Sequence, residues 1–303
     1  MLPAEGAPLV PTIVPPIVTR VAPAGAGLAW WASGWRLFTR SIAMWFGIVL
    51  VYVALSVLMS KVPFIGGAAE WLLTPVFLGG IMLGFDALQR GQPLRFAHLF
   101  DGFKQQHFVS LLLVGVFNIV LTVAAILFGV VAIASGIDLS GSLSIGSLAA
   151  DPLQMLRAFG LVSFLAIALG LLVLAVIAMA NWFAPSLIVL RNARPLEAML
   201  TSFRACMRNW APFLVYGVIG IGISVAASLA FVVLTGLLGF STVLALLDGT
   251  ASWSSIGVEL MSLGAVYVAF LIVIAVVVSG STYAGYRDTL AADDAPPVPV
   301  AGF

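Results

Sequence analysis

Four guanidinium groups crowd into the stretch RNARPLEAMLTSFRACMRNW, at Arg191, Arg194, Arg204 and Arg208. Arg204 and Arg208 stand four residues apart, a spacing that stacks side chains on one helical face. Arg36 and Arg40 repeat that spacing near the start of the chain, and Lys104 lies in a third basic segment. Such cations can hold a phosphate, of a lipid or of a partner. They can also do no more than keep a loop on one side of a membrane. A different chemistry belongs to Asn118 and Asn181, which fall deep inside apolar runs. There a carboxamide seeks a hydrogen bond worth ~0.6–2 kcal/mol. It serves either as glue between helices or as a contact for a substrate.

Enzymatic signatures are missing. The chain has no G-x-S-x-G elbow, no H-E-x-x-H pair and no P-loop. Ser279, Gly280 and Ser281 have no histidine nearby in sequence and read as close-packing residues. His98 and His107 are too few for a histidine-rich metal site and read as polar-face residues of a surface helix. Cys206, the single cysteine, excludes an internal disulfide and a cysteine metal cluster, and reads as a small buried filler. No cofactor is expected.

The elements that must position these residues follow from composition. The 303 residues are 62% hydrophobic and 8% charged, with a net charge of +1 that gives no reason to expect nucleic acid as a partner. Mean hydropathy is +1.17. Soluble domains carry about 25% charge. The apolar residues form continuous runs long enough to cross ~30 Å of hydrocarbon, without the alternation of a β-barrel strand. The class is an all-α, polytopic membrane protein. Six spans are expected, near Met44–Met59, Trp71–Ala87, Phe108–Ala134, Phe159–Leu190, Pro212–Phe240 and Ile256–Tyr286. Pro75 and Pro185 should kink two of them. Ionisable residues are rare inside the spans; Asp86 should pair with Arg90 one turn later.

Eleven of the thirteen lysines and arginines fall before the first span, after the sixth, or in the second-to-third and fourth-to-fifth connections. The positive-inside rule then puts both termini in the cytoplasm. Residues 1–27, with six prolines, read as an extended tail rather than a signal peptide, and 291–303 as a second tail. The membrane domain is expected at 28–290.

Within it a repeat is visible. One constant offset aligns Pro93-Leu94 with Pro195-Leu196 and Gly115-Val116 with Gly217-Val218. A second aligns Arg40 and Leu50-Val51-Tyr52 with Arg204 and Leu214-Val215-Tyr216. Three units are therefore expected, about 28–90, 91–192 and 193–290, each an amphipathic surface helix followed by a transmembrane hairpin. The clearest surface helix has Leu196, Met199, Leu200, Phe203, Met207 and Trp210 on one face, to be laid into the bilayer. The first copy has Leu28, Trp31, Trp35, Phe38, Ile42 and Trp45; the middle one has Phe96, Leu99, Phe100 and Phe103.

The segments GWRLFTR, LLTPVFLGGIMLGFDALQRGQPL and WFAPSLIVLRNARPLEAMLTSFRACMRNWAPFLVYG resemble an uncharacterised family of multi-pass inner-membrane proteins of proteobacteria. That family is loosely similar to the membrane domain beside some glycerophosphodiester phosphodiesterases. The resemblance implies a bacterial inner-membrane location and a six-helix body. It implies no reaction, because the catalytic carboxylates of those phosphodiesterases lie in a soluble domain with no counterpart here. The expected function is a non-enzymatic membrane component that organises lipids or partner proteins. The alternative is a transporter or lipid-handling protein with a cavity between the repeats, and the third reading is an intramembrane enzyme. Membrane lipids are the expected partners, anionic phospholipid through Arg36, Arg40, Lys104, Arg194, Arg204 and Arg208; Asn118 and Asn181 are the candidate intramembrane contacts.

Overall fold

The computed structural model describes residues 17–63, 65–139, 161–249 and 253–291. Among these the secondary structure is helical throughout. In chain order it comprises α1 (Ala26–Thr39), α2 (Ile42–Ser60), α3 (Ile65–Gln89), a 3-10 helix (Phe96–Phe103), α4 (Gln105–Leu139), α5 (Leu161–Trp182), α6 (Ala184–Arg191), α7 (Pro195–Arg208), α8 (Trp210–Leu247) and α9 (Trp253–Leu290). Among the described residues six helical segments are long and apolar enough to cross a bilayer: Ile42–Ser60, Ile65–Gln89, Gln105–Val131, Ile167–Arg191, Trp210–Leu247 and Leu260–Leu290. They coincide with the six expected runs.

Buried side chains gather at the end of the bundle where the basic segments meet. Trp30, Trp45, Phe85, Phe183, Leu187 and Tyr283 are fully enclosed there. Away from it the helices turn apolar side chains outward; the most apolar stretch of α8 buries nothing. Backbone in hydrocarbon must satisfy itself, and these helices do so while leaving Val225, Val232 and Leu237 exposed.

The tight end is built by glycine. α1 crosses α8 and α9 with Gly27 against the backbone of Pro212 and Tyr216, and Gly34 against Val277 and Ser281. Close approach brings aromatic rings together: Trp31 stacks on Tyr216 at 4.9 Å and Trp45 meets Phe85 at 4.4 Å. The buried indole N–H groups all find acceptors, Trp30 on the Asp288 carboxylate at 2.7 Å, Trp31 on the Tyr216 carbonyl at 3.0 Å and Trp45 on the Leu37 carbonyl at 3.3 Å. The 3-10 helix lies equally close on α3, with Gly80 under the carbonyls of His98 and Leu99 and Gly102 against Val76.

Four expectations need correction. The face of α1 that packs inward carries Trp30, Trp31, Leu37 and Phe38, whereas Leu28, Trp35 and Ile42 face outward, so the expected single stripe is divided between two surroundings. On α7 Met199 leaves the expected stripe and packs inward with the small residues Ala198, Ser202, Ala205 and Cys206, while Leu196, Leu200 and Met207, with Trp210 at the start of α8, are exposed. The middle element is a 3-10 helix rather than an α-helix, and His98 and His107 are buried. Burial lowers the pKa of His98, and its Nδ1 accepts the Arg95 N–H at 3.0 Å. Lastly, the expected tail is tied down from within. The Arg20 N–H donates to the Thr289 carbonyl at 2.8 Å and the Ala22 N–H to Asn209 Oδ1 at 2.8 Å, and α1 already begins at Ala26. The parts of both tails at 1–16 and 292–303 lie outside the described residues.

Candidate functional site

The fourth span is two helices. α5 ends at Trp182, Phe183 leaves the helical path at φ −110° and ψ −6°, and α6 restarts at Ala184 with Pro185 in its first turn. Proline there has no N–H for the Asn181 carbonyl and its ring excludes a straight helix. The break is mended by Ser202 from α7. Its hydroxyl accepts the Phe183 N–H at 2.9 Å and donates to the Met179 carbonyl at 2.6 Å. The expected kink at Pro185 is thus an interruption, whereas α3 continues through Pro75. Nothing in the sequence pointed to Ser202, since a serine on an amphipathic helix has many uses.

Beside this break a cavity of about 380 Å³ opens between α3, α4, α5 and α6. Trp71, Thr74, Pro75, Asn118, Thr122, Asn181 and Pro185 line it, so the structure brings Asn118 and Asn181 to one place. Asn181 Nδ2 donates to the Ile177 carbonyl at 2.7 Å, which fixes its orientation. The Oδ1 atoms of Asn118 and Asn181 are both buried and have no donor. Each such atom costs roughly 1–3 kcal/mol if nothing fills the space. A second, apolar cleft of about 580 Å³ lies between α8 and α9, floored by Trp31, Trp182 and Tyr216.

The arginines divide differently from the expectation. Arg36 of α1 and Arg40 at its C-terminal cap meet Arg287 of α9 around a recess of about 60 Å³, with Ser33, Gln89 and Tyr283. Arg36 Nη2 donates to Ser33 Oγ at 2.9 Å and Arg40 Nη1 to the Leu88 carbonyl at 3.1 Å. Those bonds aim the guanidinium groups and leave further N–H donors for an anion. Among the described residues no carboxylate lines the recess. Asp86 is not in the lining; it is held by Arg90 Nε at 2.8 Å, as its spacing predicted, and by the hydroxyl of the lining residue Tyr283 at 2.9 Å. The other candidates stand apart. Lys104 pairs with Asp101 at 3.0 Å, and Arg194, Arg204 and Arg208 are exposed along α7. Sequence reading counted Arg287 toward orientation alone; only the packing of α1 on α9 gives it a place in the recess.

Cys206 faces the α5–α6 break, its Sγ 3.6 Å from the Met179 carbonyl. Burial pushes the thiol pKa up to about 12. At neutral pH it holds on the order of a thousandfold less reactive thiolate than an ordinary cysteine. A maleimide should leave Cys206 unmodified in the folded protein and modify it fully after unfolding in dodecyl sulfate. Fast labelling of the folded protein would show that α7 does not pack as described. Cys206 is consequently a poor reporter of membrane orientation.

Six apolar helical segments, a core confined to one end and outward-facing apolar side chains define a polytopic helical membrane protein. The chain is similar to a probable inner membrane protein of Burkholderia thailandensis, 29% identical over 226 residues that make up 72% of this chain and 80% of that protein. That likeness supports an inner-membrane protein. No protein-family model matches the chain, and no solved structure matches it.

Proposed function

We propose that the protein is a non-enzymatic lipid-binding component of the bacterial inner membrane that seats an anionic phospholipid headgroup among Arg36, Arg40 and Arg287. One observation carries this reading: three guanidinium groups from two distant parts of the chain converge on one recess that no carboxylate lines among the described residues. A phosphate diester fills such a site by charge-assisted hydrogen bonds. Trp35 and Leu28, exposed on the same helix, supply an apolar edge at the depth where headgroup meets acyl chain.

In this reading α7 lies at the same interface, with Leu196, Leu200, Met207 and Trp210 in lipid and Arg204 and Arg208 toward water. The basic end faces the cytoplasm, in keeping with the positive-inside rule. The element order, a short helix before each pair of spans, supports the threefold repeat. The likeness to phosphodiesterase-associated membrane domains rests on the sequence segments quoted above. A second reading, a transporter or lipid-handling protein, is favoured by the cavities between α3 and α6 and between α8 and α9.

The test is retention of phosphatidylglycerol against phosphatidylethanolamine by the full chain, measured by mass spectrometry of lipid that survives purification. A basic residue at an anionic surface is worth about 1 kcal/mol. Arg36→Gln with Arg287→Gln should therefore lower phosphatidylglycerol retention by roughly thirtyfold. Arg204→Gln with Arg208→Gln, outside the recess, should lower it much less. Equal retention of both lipids by the unaltered protein, or no difference between the two variants, rejects the recess as a headgroup site.

A further inference from the structure

The cavity beside the α5–α6 break lies at a depth no phospholipid headgroup reaches. Asn118 is thirteen residues into α4, about 20 Å from its basic end at ~1.5 Å per residue. Asn181 lies ten residues before Arg191, about 15 Å from the same end. Both depths fall near the middle of a ~30 Å hydrocarbon layer. The arginine recess and this cavity are therefore separate sites, and the inference below does not rest on the lipid reading.

The polar lining holds two acceptors that lack a donor. The Oδ1 atoms of Asn118 and Asn181 have no donor. One N–H of Asn181 Nδ2 goes to the Ile177 carbonyl, which fixes the Oδ1 in place, and the Thr74 hydroxyl donates to the Glu70 carbonyl at 2.8 Å. Pro75 and Pro185, both in the lining, have no N–H to give to the carbonyls of Trp71 and Asn181, which also belong to it. Among the described residues no charged side chain lines the space. An ammonium or metal cation would lie there without a counter-charge in hydrocarbon, which the low dielectric forbids. The volume of about 380 Å³ falls in the range of small-molecule sites.

We infer that the Asn118–Asn181 cavity is an intramembrane binding site for a small uncharged ligand that donates hydrogen bonds, an alcohol or amide. The two carboxamide oxygens read the donor, and Trp71, Leu78, Val114 and Ile177 hold the apolar remainder. Prolines on two of the surrounding helices keep the space open, because neither helix can close its backbone against the other there. An ether or ester of the same size leaves both carboxamide oxygens without a donor and binds more weakly.

The probes are bromohexanol and its O-methyl ether, which differ in the presence of one donor. Bromine quenches tryptophan fluorescence, and Trp71 lines the cavity. With the full chain in lipid nanodiscs, bromohexanol should give a saturable component of quenching on top of linear partitioning. Trp71→Phe should remove that component, which places it. The ether should show it about tenfold more weakly, the worth of one net hydrogen bond. Asn118→Leu or Asn181→Leu should erase the difference between alcohol and ether while leaving partitioning unchanged. If a leucine variant fails to fold, Asn118→Ser shortens the side chain, withdraws the carboxamide and should give the same result. Purely linear quenching by the alcohol, equal saturable quenching by both probes, or a preference that survives the asparagine substitutions overturns the inference. Because the readout is insensitive to anionic lipid, failure here leaves the arginine recess standing, and failure there leaves this site standing.

Discussion

Gly34→Ala should destabilise the protein by about 2–3 kcal/mol, and Gly34→Leu should release α1 altogether. A Cβ at position 34 would sit 2.3 Å from the Val277 carbonyl oxygen and 2.8 Å from the Ser281 nitrogen. Both are backbone atoms of α9, so relief comes only if the helices part. Hydrophobicity does not decide the size of the effect, since the freed tryptophans of α1 would find lipid instead of water. What is lost is close packing and the indole hydrogen bonds to Asp288 and the Tyr216 carbonyl, each worth ~0.6–2 kcal/mol in a membrane. The arginine recess would be lost with them, because Arg36 and Arg40 reach Arg287 only when α1 lies on α9. Thermal unfolding in detergent, followed by tryptophan fluorescence, measures this. Gly222→Ala is the control. Nothing lies within 4 Å of its Cβ position, and the helix gains up to ~1 kcal/mol in propensity. If Gly34→Ala proved as stable as Gly222→Ala, the crossing of α1 over α9 would be wrong.

Ser202→Ala should rank next, at roughly 2–4 kcal/mol. The substitution strands the buried Phe183 N–H, at ~1–3 kcal/mol, and leaves the Met179 carbonyl only the weak Cys206 thiol as a donor. The break cannot heal by straightening, because the Pro185 ring would meet the Asn181 carbonyl. Ser186→Ala supplies the contrast. Ser186 is as deeply buried, yet its hydroxyl has no partner, so its removal should change stability by less than about 1 kcal/mol. A denaturant series on the two variants should separate them clearly. Equal losses would mean that burial and not the bridging hydroxyl governs this region.

The same contrast explains what sequence reading could and could not reach. The six spans were legible because crossing hydrocarbon demands long uncharged runs, a property of each segment alone. The Asp86–Arg90 pair was legible because one helical turn sets its spacing. Asn118 and Asn181 could be placed at depth, but their sharing a cavity depended on which helices are neighbours. The apolar stripes of α1 and α7 were visible as stripes, yet their partners were not. In a membrane protein lipid and protein interior are equally apolar, so a stripe does not say which of the two it faces. On α7 the protein-facing side proved to be Met199 with Ala198, Ser202, Ala205 and Cys206, small residues that permit close approach, and Leu196, Leu200 and Met207 faced outward.

Sequence by itself therefore determined the solvent this protein lives in, the number of its spans and the approximate depth of its polar groups, because hydropathy acts residue by residue along a chain. Tertiary structure decided everything that needs two distant segments at one point. Arg287 joins Arg36 and Arg40 through the Gly34 crossing, Ser202 closes the gap before Pro185, and Asn209 holds Ala22. These contacts depend on distances of a few ångströms between backbones, set by where glycine and other small residues allow helices to touch.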